Sequence, residues 1–130
     1  MAKVKMGVIG AGGIAYRKTI PGILEAENCE LTAVMDVVNV DKIASEFGVK
    51  AYTSETDLLD DPDVEAVYIA TPANVHYDQI AAAATRKKHV LSEKPITLNT
   101  QQTEAAVKVC QDNGVFLQEG YMMKFHGAHK

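Results

Sequence analysis

Three groups of residues in this sequence have the types and spacing to do chemistry. The first is Gly10-Ala11-Gly12-Gly13-Ile14-Ala15, a G-x-G-x-x-G/A pattern that follows an apolar run, Val4 to Ile9. Between a strand and a helix that pattern holds a phosphate. Gly10 allows a tight turn, Gly12 lets the backbone approach a pyrophosphate, and Ala15 lets the helix pack close to the strand. The free N–H groups of the helix start and the positive end of its dipole complete the anion site. The second is Asp36, 26 residues after Gly10 and 21 after Ala15. A carboxylate at that spacing accepts hydrogen bonds from both hydroxyls of a ribose and repels a 2′-phosphate. Val37, Val38 and Asn39 bring no arginine to neutralise one, so NAD is favoured over NADP. The third is Glu93-Lys94-Pro95. A lysine at a strand end beside a cofactor can hold or give a proton at a substrate oxygen. On composition alone the pair reads instead as an exposed ion pair before a turn.

The elements that must position these groups follow in order. Ile14 to Thr19 begins a helix that Pro21 interrupts, and Pro21 starts a second short turn, Gly22 to Ala26. Cys29 to Met35 is a strand ending at Asp36. Asp41 to Phe47 is a short helix stopped by Gly48. Ala51 to Thr53 is a short strand, and Ser54 caps a helix that ends before Pro62. Val64 to Ala70 is a strand rich in β-branched and aromatic residues. After the loop Thr71-Pro72-Ala73-Asn74, Asn74 caps a helix running to about Arg86. His89 to Ser92 is a strand. Asn99 or Thr100 caps a helix over Gln101 to Asp112 that Gly114 ends, and Val115 to Met122 is the last strand.

Strands alternating with helices define an α/β fold, a doubly wound, mostly parallel sheet of about six strands in the order 3-2-1-4-5-6, as one domain. In such sheets ligands bind beyond the carboxyl ends of the strands, which is where 10–15, 36–39, 71–76 and 93–95 fall. The 130 residues suffice for one core, with 47% apolar and 23% charged residues, as in ordinary globular chains. A net charge of −4, with no basic run among aromatics, argues against nucleic acid or an anionic membrane as partner. The apolar run near the N-terminus is too short for a secretory signal, and no stretch is long enough to span a bilayer. Cys29 and Cys110 are expected as small core hydrophobes rather than a disulfide. A cytoplasmic protein is expected.

The glycine turn, Asp36, Thr71-Pro72-Ala73-Asn74-Val75-His76 and His89-Val90-Leu91-Ser92-Glu93-Lys94-Pro95 together resemble the Gfo/Idh/MocA oxidoreductases, relatives of glucose–fructose oxidoreductase and inositol 2-dehydrogenase. The resemblance spans nearly the whole chain, and the Glu-Lys-Pro segment is its most specific part. It implies that Gly10, Gly12, Gly13 and Ile14 contact the pyrophosphate and Asp36 the adenosine ribose. It further implies that Thr71, Pro72, Asn74 and His76 line the nicotinamide side of the cleft. Lys94 would touch the nicotinamide ribose and the reacting oxygen of the substrate, oriented by Glu93. Taken by itself, His76 reads as a partly buried structural histidine.

Two departures from the family pattern stand out. Lys87 occupies a position where the family usually has a helix-closing glycine with left-handed backbone, at a cost of about 1 kcal/mol. Met122-Met123-Lys124-Phe125 carries a lysine where arginine is commoner. Residues 1–125 are expected to form the NAD(P)-binding domain, and 126–130 the start of an absent C-terminal domain. In the family that domain holds the substrate and usually the oligomer interface. His126 and His129 have no carboxylate or cysteine partner, so no metal site is expected. The resemblance implies hydride transfer between NAD(P) and a CH–OH group of a sugar, cyclitol or related polyol. The full-length form would be a homo-oligomer, and this chain alone catalytically incomplete. The competing reading is a non-catalytic dinucleotide-sensing module of the same fold, against which the presence of Glu93-Lys94 weighs.

Overall fold

The computed structural model describes residues 3–13, 15–93 and 96–119. Six strands form one sheet: β1 (Val4–Ile9), β2 (Cys29–Met35), β3 (Lys50–Tyr52), β4 (Ala66–Ile69), β5 (His89–Ser92) and β6 (Leu117–Glu119). Their order is β3-β2-β1-β4-β5-β6, and every pairing is parallel. The chain starts in the middle, winds outward to β3, then returns to β1 and winds the other way. That reversal leaves a crevice beyond the carboxyl ends of β1 and β4.

Alternation along the central strands sends side chains into two cores. Met6 and Val8 of β1 join Ala66 and Tyr68 of β4 on one face. There they pack against Ile20 and Ile23 of α1 (Ile20–Glu25) and Ile43 of α2 (Val40–Phe47). Ile9, Val67 and Ile69 face the other way, with Leu58 of α3 (Glu55–Leu59), Ile80 of α4 (His76–Thr85) and Ala106 of α5 (Thr100–Asp112). Strands covered on both faces read as continuous apolar runs, as Val-Tyr-Ile in β4 does. Cys29 and Cys110 are both buried and free, one in each core.

The helix after the glycine turn opens as a π-helical turn, Ala15–Thr19, directly followed by α1. Pro21 sits in the first turn of α1, so the break expected there falls where its missing N–H costs least. Ser54 accepts from the Asp57 N–H and Asn99 from the Gln102 N–H, both as expected N-caps. Gly48 and Gly114 take left-handed backbone after α2 and α5. Lys87 does the same after α4, with φ +63°.

Other details differ from the sequence expectation. Asn74 is not an N-cap: Ala73–Val75 forms a separate 3₁₀ turn, and α4 starts after Val75 with no side-chain cap. Pro72 precedes that turn in extended backbone, and the helix start moves one residue on, its N-cap position falling at Val75 instead of Asn74. Strand β4 is shorter than 64–70, and β3 lies one residue earlier than expected. The last strand is described only as Leu117–Glu119. Ile14, Lys94, Pro95 and 120–130 lie outside the described residues.

Candidate functional site

The glycine turn leaves β1 at Gly10, whose φ of +87° only glycine adopts without strain. The N–H groups of Gly10 and Ala11 both donate to Met35 O at 2.9 Å, which ties the turn to the end of β2. A Cβ on Gly10 would lie 2.9 Å from Thr71 Cγ2 and 3.1 Å from Ala70 O. The turn is thus pressed against the start of the loop after β4, and the two expected halves of the cleft meet here.

Asp36 follows β2 directly. Its Oδ2 accepts from the Gly12 N–H at 2.8 Å, and its Oδ1 accepts from the Val37 N–H at 2.7 Å. A Cβ on Gly12 would stand 3.1 Å from that Oδ2. Close backbone approach at Gly12 is therefore a property of the fold, with Asp36 as the neighbour that demands it. A cleft of about 460 Å³ opens over this pair. Gly13, also in left-handed backbone with φ +66°, lies on its wall. The donor set suits a dinucleotide: a glycine turn without side chains for an anion, and a half-buried carboxylate beside it for a diol.

Four side chains outside the sequence motifs also line the cleft, Ile43 of α2 being the apolar one. Lys42 and Glu46 come from α2, and Tyr16 from the turn before α1. The Tyr16 hydroxyl donates to Glu46 Oε1 at 2.7 Å, a bond that raises the phenol above its ordinary pKa. Lys42 places a cation on the cleft that holds Asp36, although no basic residue occupies 37–39. Its signal was position: α2 begins at Val40, so residue 42 is in the first turn of the helix that faces the glycines.

The second half of the site follows β4 and β5. Pro72 and Asn74 are exposed on the loop after β4, and Thr71 is half-buried with its hydroxyl donating to Gln79 Oε1. His76 is only 1% exposed. Its Nε2 donates to Thr71 O at 2.6 Å, and its Nδ1 lies 3.1 Å from Ile96 O and 3.3 Å from Ser92 Oγ. Glu93 continues from β5, its N–H donating to Ile69 O at 2.9 Å. Its carboxylate accepts at Oε2 from the Tyr68 hydroxyl at 2.5 Å. Burial, and then the Glu93 carboxylate, push the Tyr68 phenol well above its ordinary pKa, so it remains a donor.

A doubly wound sheet with a glycine turn and a ribose-type carboxylate at its switch point defines a dinucleotide-binding domain. Residues 4–121 match the family described as "Oxidoreductase family, NAD-binding Rossmann fold", and the chain belongs to this family, Gfo/Idh/MocA. It is 38% identical over 122 residues to a D-xylose 1-dehydrogenase (NADP(+)) of Haloferax volcanii, covering 92% of this chain and 38% of the relative. It is 30% identical over 130 residues to a scyllo-inositol 2-dehydrogenase (NAD(+)) of Bacillus subtilis, covering 98% and 38%. A solved 3-ketoreductase from Actinomadura kijaniata, in complex with NADP and TDP-benzene, superposes with a TM-score of 0.89 at 32% identity. That match covers 98% of this chain and 40% of the reductase. The chain therefore spans well under half the length of these relatives. It is the NAD(P)-binding Rossmann domain of that family. Among the described residues no helix is long and apolar enough to cross a membrane, and no cluster of three or more His, Cys, Asp or Glu is placed to hold a metal ion.

Proposed function

We propose that this chain is the cofactor half of an enzyme that moves a hydride between NAD and a CH–OH group of a sugar, cyclitol or related polyol. The observation that carries the reading is the Asp36 carboxylate 2.8 Å from the Gly12 N–H, on the wall of a cleft at the carboxyl ends of β1 and β2. A nicotinamide dinucleotide, when bound, supplies the hydride acceptor. Gly13 and Ile14 are assigned the backbone N–H groups that meet the pyrophosphate, and Gly10 and Gly12, whose own N–H groups bond to Met35 O and Asp36, give it a surface without side chains. Asp36 accepts from the adenosine ribose hydroxyls. Thr71, Pro72, Asn74 and His76 belong to the nicotinamide side, where Lys94, oriented by Glu93, holds a proton at the substrate oxygen.

The preference for NAD rests on the negative charge of Asp36 beside the ribose. Relatives named for NADP, and Lys42 on the same cleft, argue that NADP is disfavoured rather than excluded. Residues 1–125 form the cofactor domain in this reading, and substrate contacts come from a second domain of a cytoplasmic homo-oligomer. Hydride transfer needs the reacting carbon held about 3–3.5 Å from the acceptor, which half a cleft does not do. The purified chain should bind NADH but turn over polyols at no enzyme-like rate. Titration with NADH and NADPH, followed by nicotinamide fluorescence, tests it. No binding up to millimolar NADH, or brisk polyol oxidation by the 130 residues alone, would sink the proposal.

A further inference from the structure

Two side chains that no ligand could reach from solvent hold the ends of β4 and β5. Tyr68 is fully buried in β4, and its hydroxyl donates to Glu93 Oε2 at 2.5 Å. A phenylalanine would fill the same core volume, whereas a buried hydroxyl without a partner is costly. The tyrosine makes sense here through the carboxylate it fixes. The adjoining strand register, Ile69 against Ser92, brings Glu93 within its reach. His76 does the complementary task. From one buried ring it reaches Thr71 O in the loop after β4, Ser92 Oγ at the end of β5, and Ile96 O beyond it. Ser92 and Ile96 flank 93–95 in sequence. The two side chains approach from different directions, Tyr68 from the sheet and His76 from the first residue of α4.

We propose that Tyr68 and His76 are positioning residues for the nicotinamide end of the cleft: Tyr68 fixes the Glu93 carboxylate, and His76 ties the loop after β4 to the segment after β5. The inference rests on the assignment of these loops to the nicotinamide side under Proposed function. It differs from that reading in removing His76 from contact with the cofactor and giving it a role behind the loop.

A positioning role predicts a split that general structural damage does not produce. ADP probes the glycine turn and Asp36 alone, while NADH also probes the far end. In the purified chain, Tyr68→Phe should weaken NADH about tenfold, the weight of one hydrogen bond to a charged group, and His76→Gln about fivefold, the weight of one neutral hydrogen bond. ADP affinity should stay within about twofold of wild type, since its contacts are elsewhere. Equal losses for both ligands, or no loss for either, overturn the inference. If His76→Gln melts below the titration temperature, Tyr68→Phe, which keeps the ring packing, decides alone. Wild-type protein that binds NADH no better than ADP overturns the assignment of the loops, and the inference with it.

Discussion

The Asp36 carboxylate accepts a hydrogen bond from the Gly12 N–H at 2.8 Å, so the second strand's terminal acid is oriented by the first strand's glycine turn. Its other oxygen is held by the Val37 N–H. With both oxygens anchored on backbone, the carboxylate cannot swing aside cheaply to admit a 2′-phosphate. Asp36→Ala should weaken NADH about tenfold, the loss of one charge-assisted bond, and raise the NADPH to NADH affinity ratio above wild type. Adding Lys42→Ala should lower NADPH affinity again, because Lys42 is the cation on that cleft and its loss leaves Glu46 as the charged neighbour. Parallel fluorescence titrations measure this. An unchanged ratio in Asp36→Ala would show that the carboxylate does not select.

The same contact makes Gly12 sensitive to a single methyl. An alanine there would set its Cβ 3.1 Å from Asp36 Oδ2, tight enough that the carboxylate must shift. Because the neighbour is a side-chain tip, Gly12→Ala should cost stability little, under about 1 kcal/mol. Gly10→Ala meets backbone at Ala70 O and a φ of +87°, and should destabilise by about 2 kcal/mol or more. Urea unfolding beside NADH titration separates the two. Binding loss without stability loss is expected at Gly12, and both losses at Gly10. The reverse ranking in stability would contradict the packing described.

What the sequence disclosed were features encoded locally or by period. Gly10 to Gly13 turn directly after the apolar run of β1, and the caps Ser54 and Asn99 each act within a few residues of themselves, while Asp36 stands at the end of β2 at its expected spacing and reaches across to Gly12. The sheet order followed from alternation and the right-handed crossover preference of parallel strands. Asn74 misled because its capping propensity competed with Pro72, whose extended backbone opens a 3₁₀ turn instead. The Tyr68–Glu93 bond depends on which face Tyr68 takes and on the register of β4 with β5, and neither is written in the residues nearby. Lys42 lies beyond 37–39, and its place on the cleft depends on where α2 is set against the glycine turn, which the residues around it do not encode.

A polar network on the opposite end of the strands sets an acid limit on stability. Asp61, with a side chain 2% exposed, accepts from the Asp63 N–H at 2.9 Å, Lys50 Nζ at 3.0 Å and the Tyr52 hydroxyl at 2.8 Å. Burial alone would push its carboxyl up, but these donors outweigh it and hold the carboxyl below the usual carboxylate range. A depressed folded pKa stabilises the fold above the unfolded value of about 3.9, and the contribution is lost as pH falls through the folded pKa. Asp61→Asn should therefore be less stable than wild type at pH 7 by about 1–3 kcal/mol. The gap should narrow as pH drops below about 4. Denaturant unfolding at pH 7 and pH 3 checks it, and an equal gap at both would remove Asp61 from the acid limb.

Lys87 offers a test in which the ordinary ranking of two small residues should invert. It closes α4 with φ +63°, its N–H bonded to Ala84 O at 2.9 Å, so the backbone there is fixed by the helix end. Its ammonium reaches Asn113 Oδ1 at 3.2 Å, an exposed contact of small weight. Lys87→Ala keeps the Cβ and with it the left-handed penalty. Lys87→Gly removes that penalty, about 1–2 kcal/mol, against a larger entropy of the unfolded chain, about 0.5–1 kcal/mol. Glycine should thus exceed alanine in stability by roughly 0.5–1 kcal/mol, although within a helix alanine leads by about the same amount. Thermal or urea unfolding of both variants decides it: alanine more stable than glycine would mean that residue 87 does not hold left-handed backbone in solution.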